Sequence, residues 1–213
     1  MLELSALAEV EEALRAEGFF GAEGVVADVY LGYGLSAALR RTDTAGPPEP
    51  CPRLPAAAVS IRPAEGTQML MSTSFEVGAW TPTWSEAGYG AAVEAVRVAI
   101  ARGDVYQVNL VQHLSASFTG DPAALAATLV PLAPLHPEPL VGEGWAIVSA
   151  SPELFLARKG RKVWTRPIKG TAPAGEPVES AKDLAEHVMI VDLERNDLSR
   201  VCEPGSILSL IHI

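Results

Sequence analysis

One lysine lies in the least bulky turn of this chain. The stretch RPIKGTAPAG, Arg166 to Gly175, surrounds Lys169 with glycine, proline and small residues. A lysine amine attacks carbon only when neutral, which takes desolvation or a nearby cation. Gly170 lets the backbone come close to a ligand, and Thr171 adds a hydroxyl. Glu153, in SASPELFL, sits on the first strand of a proposed hairpin whose second strand is KVWTRP. That pairing carries Glu153 and Lys169 toward one end of a sheet. An acid beside an amine suits proton transfer. It equally suits a plain salt bridge, and a solvated turn is the ordinary setting of a surface lysine.

A second group of reactive side chains falls on SAKDLAEHVMIVDLERNDLSRV, which reads as a helix. Val188, Met189, Ile190, Val191 and Leu193 make it apolar almost all round, so it is expected to be buried. It also carries Asp183, Glu186, His187, Asp192, Glu194, Arg195, Asn196 and Asp197. Buried charges are costly unless paired or metal-bound. Asp183, Glu186, Ile190, Leu193 and Asp197 step by three or four and share a face. A carboxylate there suits Mg²⁺, which takes one or two protein oxygens and keeps water or substrate in its other positions. An internal ion-pair network through Arg195 and Arg200 fits the same pattern.

The elements that must position these groups are legible in outline. ELSALAEVEEALRAEG predicts an amphipathic helix ending near Gly18, with Leu4, Leu7 and Leu14 on one stripe. GVVADVYLG and AAAVSIRP predict strands. Between them, Thr44 to Pro55 holds five prolines in twelve residues and reads as a loop or linker. YGAAVEAVRVAIARG predicts a helix, with Tyr89, Val93, Val96 and Ile100 on one stripe and Gly103 as its stop. DVYQVNLVQHLSASF predicts a long strand. GDPAALAATLV predicts a short helix with Asp121 as N-cap and Pro122 in the first turn. WAIVSASPELFLARKGRKVWTRP predicts strands with a tight turn at Lys159–Gly160. Ser180 and Asp183 have capping-box spacing at the start of the last helix. Mixed helices and strands favour α+β or α/β over all-β.

Composition bounds the partners. The chain has 213 residues, 48% of them hydrophobic, and a net charge of −10. The acidic balance disfavours nucleic acid. There is no cationic, apolar leader and no apolar run long enough to span a bilayer, so no membrane partner is expected. Cys51 and Cys202 have no CxxC partner and are expected as free thiols in a reducing, cytoplasmic setting.

GDVYQVNLVQHLS, SASPELFL, PIKGT and EHVMIVDLERNDLSRVCEPGS follow one another in order. Together they resemble the chorismate-utilising enzyme family, which includes the large subunits of anthranilate synthase and aminodeoxychorismate synthase. The resemblance runs from about Tyr89 to Ser206. It implies an α+β fold, with an N-terminal region over 1–82 and an incomplete catalytic domain over 83–207. The anthranilate type usually has alanine where this chain has Lys169; the aminodeoxychorismate type reads PIKGT. In that type the lysine adds to the chorismate ring and is displaced by ammonia. By the same resemblance Glu153 is the catalytic acid/base, and Gly170 and Thr171 contact substrate. Asp183 falls where an acidic substrate-site residue often stands, with a shorter side chain here. By the same resemblance Glu186 matches a magnesium-binding glutamate. Mg²⁺ makes physical sense, because chorismate is a dicarboxylate and must sit beside the protein's own carboxylates. Ammonia is expected from a separate glutaminase subunit in a heterodimer. Anthranilate synthesis, or a non-catalytic relic of the fold, are the alternatives.

Two departures qualify the resemblance. TAPAG lacks the arginines of the frequent TRPRG version, and PLAPLHPEPLVGEGWAIVSASPE is unlike the NPSPYMFF stretch of feedback-regulated anthranilate synthases. The family's chain also continues well beyond CEPGS, with a histidine and a second magnesium-binding glutamate. The final LSLIHI, residues 208–213, can be encoded by a sequencing-library transposon end and is expected to be adapter translation. A fragment of this kind is expected to be inactive alone.

Overall fold

The computed structural model describes residues 1–39, 50–64, 74–170, 175 and 181–209. The chain is α+β, with helices and small antiparallel sheets in two compact units. One unit comprises Met1–Pro131 with His136–Ser149; the other comprises Leu132–Leu135 with Ala150–Ile213.

The first unit opens with strand β1 (Leu2–Leu4), helix α1 (Leu7–Ala16) and strand β2 (Val25–Leu31), followed by β3 (Ala57–Pro63). The three strands form an antiparallel sheet in the order β1-β3-β2. Central β3 is the most deeply buried strand, with Ala57 and Ala58 both 0% exposed. Small residues there let α1 lie close on the sheet. Val10 of α1 meets Ala57 and Val59, and Leu4, Leu14, Leu35 and Ile61 close around them. The predicted stripe needs correcting: Leu4 belongs to β1, and Leu7 opens the helix exposed. The buried positions begin one turn later, at Val10 and Ala13.

Asp28 and Arg62 are diagonal neighbours across β2 and β3, since Asp28 lies opposite Ser60. Arg62 Nε donates to Asp28 Oδ2 at 2.7 Å, and His136 Nε2 lies 2.9 Å from Oδ1. Burial works to raise the Asp28 carboxyl, but the hydrogen bonds and charges of Arg62 and His136 outweigh it and hold it below the usual aspartate range. A depressed carboxyl stabilises the fold above its unfolded pKa, and that contribution disappears as pH falls through the folded value. Asp28→Asn is therefore expected to cost about 1 to 2 kcal/mol at pH 7. The gap from the parent protein should close as thermal melts are carried into the acid range. A gap independent of pH would disprove the charge account.

Next come β4 (Phe75–Val77), β5 (Thr81–Pro82), α2 (Glu86–Arg102), β6 (Leu114–Ser115) and β7 (Phe118–Gly120). Helix α2 stops as predicted at Gly103, whose φ of 78° is left-handed, but it begins at Glu86, three residues before the predicted Tyr89, with Ser85 as its cap. The long strand predicted from Asp104 onward is not formed. Only its far end pairs, β6 with β5 and β7 with β4. Before that end, side chains take the backbone groups a ladder would use: Trp84 Nε1 donates to the Val111 carbonyl at 3.1 Å. Helix α3 (Pro122–Leu129) starts as predicted, with the Asp121 side chain accepting from the Ala123 N–H. The hairpin β8 (Leu140–Gly142) and β9 (Trp145–Ile147) completes this unit.

The second unit holds the hairpin β10 (Leu154–Lys159) and β11 (Lys162–Arg166), then helix α4 (Ala181–Leu198). The hairpin turn is Gly160–Arg161, one residue later than predicted, with Lys159 paired to Lys162. Helix α4 is not buried as its composition predicts; none of its residues is, and Leu184 is 64% exposed. Its apolar surface exceeds what the described neighbours cover. The capping box expected at Ser180 lies outside the described residues. No helix among the described residues is long and apolar enough to cross a membrane. Neither cysteine forms a disulfide among the described residues.

Candidate functional site

Five of the six sequence-predicted site residues are described, and all five fall in the second unit. Thr171 lies outside the described residues. The β10–β11 hairpin does the positioning. Its register is regular from Lys159 back to Ala157 and shifts between Ala157 and Leu154, where Leu154 meets Arg166. That irregularity sets Glu153 against the residues that follow β11. Glu153 Oε1 accepts the Ile168 N–H at 3.0 Å, directly before Lys169. A second tie closes the same end: the Thr165 hydroxyl donates to the Leu154 carbonyl at 3.1 Å.

The backbone after Ile168 bends away from the ladder. Pro167 cannot donate a ladder hydrogen bond, and Gly170 has a φ of 80°, a left-handed conformation that side chains resist. Lys169 and Gly170 are half-buried, whereas Glu153 is exposed. Among the described residues, no ion pair within 4.0 Å joins Lys169 to Glu153. The plain salt bridge that the sequence allowed is therefore not formed.

Helix α4 presents a half-buried stripe of Asp183, Glu186 with its neighbour His187, Ile190 and Glu194. Asp183 and Glu186 stand one turn apart on it. Among the described residues, Arg195 and Arg200 form no ion pair with the carboxylates of this helix. Nor do three or more His, Cys, Asp or Glu side chains gather closely enough to cage a metal. The donor set does not suit an ion enclosed by protein alone. It suits a hard cation that takes one carboxylate here and completes its shell with water and substrate oxygens.

Sequence reasoning missed one residue at this end of the unit. Glu194 stands near Glu153, Thr165, Lys169 and His187. Burial raises its pKa, and the Glu153 charge pushes the same way; the Thr165 hydroxyl, Lys169 and His187 oppose this without cancelling it. The only sequence signal was its place on the helix stripe two turns after Glu186. Apart from His187 on its own helix, these neighbours come from the hairpin and the residues flanking it. The cluster thus holds an amine, two carboxylates and a left-handed glycine around one strand end, a set suited to nucleophilic attack coupled to proton transfer.

Comparison with known proteins places these residues in a wider group. A family model described as chorismate binding enzyme matches residues 42–209. The chain is 39% identical over 145 residues to aminodeoxychorismate synthase component 1 of Bacillus subtilis, covering 61% of this chain and 30% of that protein. It is 38% identical over 144 residues to anthranilate synthase component 1 of Streptomyces coelicolor, covering 60% of this chain and 28% of that protein. A third relative, anthranilate synthase component 1 of Cereibacter sphaeroides, is 31% identical over 206 residues, covering 90% of this chain and 39% of that protein. The chain thus spans roughly a third of the length of these curated relatives.

Proposed function

Since the chain belongs to the chorismate binding enzyme family, we propose that its full-length protein converts chorismate and ammonia to 4-amino-4-deoxychorismate. The observation that carries this reading is Lys169 itself, in PIKGT, half-buried at the strand end that also holds Glu153. Its amine bonds to a ring carbon while the chorismate hydroxyl leaves as water, taking a proton from Glu153. Ammonia then forms its own bond to the ring and releases the lysine, so the net change is hydroxyl for amine. One hard substitution becomes two easier ones. Gly170 and Thr171 contact the substrate, and Asp183 lines its anionic side.

Mg²⁺ belongs to this reading as the ion that offsets the negative charge of a dicarboxylate beside protein carboxylates. Glu186 is the residue that would hold it, with water and chorismate oxygens as its other ligands. Ammonia comes from a separate glutaminase subunit; relatives bearing the words component 1 in their names support a partner of that kind. Anthranilate formation is the second reading, favoured by relatives of that name at nearly the same identity.

The test is made on the full-length protein that carries this sequence. Incubated with chorismate, ammonia and Mg²⁺, it should yield aminodeoxychorismate; anthranilate as the product would select the second reading. Chorismate binding should strengthen with Mg²⁺, and Glu186→Ala should weaken that Mg²⁺-dependent binding by about 10- to 100-fold, the scale on which metal sites respond to lost partners. Equal binding with and without Mg²⁺ would remove Glu186 from the metal role.

A further inference from the structure

Glu153 is exposed, so packing does not fix its side chain. A glutamate in water samples several rotamers. Hydrogen bonds must therefore set its direction, and they come from both of its ends. The Glu153 backbone N–H donates to Ser151 Oγ at 3.3 Å, across Pro152. Its carboxylate Oε1 accepts the Ile168 N–H at 3.0 Å. Ser151 is anchored in turn, because its carbonyl accepts the Leu135 N–H at 3.0 Å. Serine hydroxyls close turns of this kind on the N–H two residues on. Pro152 stiffens the turn by fixing its own φ, and it brings no N–H to compete for the hydroxyl. Hydrogen bonds thus run from Leu135 through Ser151 and Glu153 to Ile168, and end one residue before Lys169.

We propose, on the reading given under Proposed function, that Ser151 is the positioning residue of Glu153. Its hydroxyl holds the backbone from which Glu153 reaches the Ile168 N–H, and this leaves Oε2 as the oxygen that handles the proton. Oε2 gives a proton to the departing hydroxyl as the ring C–O bond breaks and water leaves. It takes one back from the lysine nitrogen newly bonded to the ring, so the carboxyl ends the step as it began. Without Ser151 Oγ the Glu153 N–H turns to water, the turn loosens, and Oε1 leaves the Ile168 N–H for part of the time. A group displaced by about 1 Å from its reacting partner costs up to about a hundredfold in rate. The effect here is smaller, because the Ile168 N–H still offers Glu153 its place.

The test uses the full-length protein and its Ser151→Ala, Ser151→Thr and Glu153→Gln variants, with the double variant of Ser151→Ala and Glu153→Gln. Ser151→Ala should lower kcat for aminodeoxychorismate formation about tenfold, with KM for chorismate within about twofold of the parent. Ser151→Thr keeps the hydroxyl and should recover most of that loss. In Glu153→Gln the proton-handling group is gone, so adding Ser151→Ala should cost nothing further. A merely structural role would give the same loss in both backgrounds, and that result overturns the proposal; so does a Ser151→Ala variant with the parent's kcat. Independently of catalysis, the ¹⁵N-labelled Ile168 amide should shift as the Glu153 carboxyl ionises. It should lose that response in Glu153→Gln and most of it in Ser151→Ala. An Ile168 response untouched by Ser151→Ala overturns the proposal. If the parent protein leaves chorismate unchanged, the proposed function fails, while the Ile168 amide still decides whether Ser151 orients Glu153.

Discussion

Lys169→Ala in the full-length protein should lose about three orders of magnitude or more in aminodeoxychorismate formation, roughly 4 kcal/mol of barrier. The size follows from the role. A residue that only binds substrate can be replaced at a modest cost in KM, whereas one that forms the bond takes a whole step with it. Lys169→Arg should not rescue, because a guanidinium stays protonated and cannot attack carbon. With chorismate present and ammonia withheld, intact-protein mass spectrometry should find an adduct of chorismate less water on the parent and none on Lys169→Ala. Glu153→Gln should slow the adduct's formation, since the hydroxyl then departs without its proton. Activity of Lys169→Ala within about threefold of the parent would return Lys169 to the status of a turn residue. Chorismate binding by Lys169→Ala near the parent's affinity separates loss of the nucleophile from loss of the fold.

The hairpin that makes this prediction possible was legible in the sequence, and the reason is local. β-branched and aromatic residues on both sides of Lys159–Gly160 specify two strands and a turn, and two paired strands leave little choice about which residues meet at their open end. Helices α2 and α3 were legible for the same reason, each carrying local punctuation, Gly103 at the end of one and Asp121 with Pro122 at the start of the other, whereas the Ser85 start of α2 was not read. The long strand from Asp104 was not, because strand propensity describes a residue's fit to a sheet that must exist beside it. That sheet is supplied only at Leu114–Ser115 and Phe118–Gly120. The burial expected of α4 failed likewise: composition states a demand for cover, and the neighbours decide whether it is met. Glu194 lay beyond sequence reasoning for a third reason. Its environment depends on how α4 meets the hairpin, and no spacing along one element encodes that.

Trp145→Ala should be the most destabilising single truncation in the first unit, by about 3 to 5 kcal/mol. Among the described residues the buried hydrophobic set there is otherwise alanine and valine, so Trp145, 7% exposed, supplies most of the large apolar surface. It joins β9 to the three-stranded sheet in two ways. Its Nε1 donates to Glu3 Oε1 of β1 at 2.6 Å, and its ring lies 6.4 Å from that of Tyr30 on β2, tilted by 41°. Trp145→Phe separates the two contributions. Phenylalanine keeps most of the packing and gives up the hydrogen bond, and Glu3 is exposed enough for water to replace the donor. Its cost should therefore be about 1 kcal/mol, plus the smaller ring's packing loss. Gly142 gives the converse test. A methyl group there would come within 2.2 Å of Trp145 Cε2 and 2.4 Å of two neighbouring ring atoms, on a side chain with no room to retreat. Gly142→Ala should thus destabilise by about 1 to 3 kcal/mol through overpacking, and Trp145→Phe should relieve part of that penalty. Chemical denaturation of the two single variants and the double variant measures the coupling. Additive effects would mean that the indole does not hold the β8–β9 hairpin against β1 and β2.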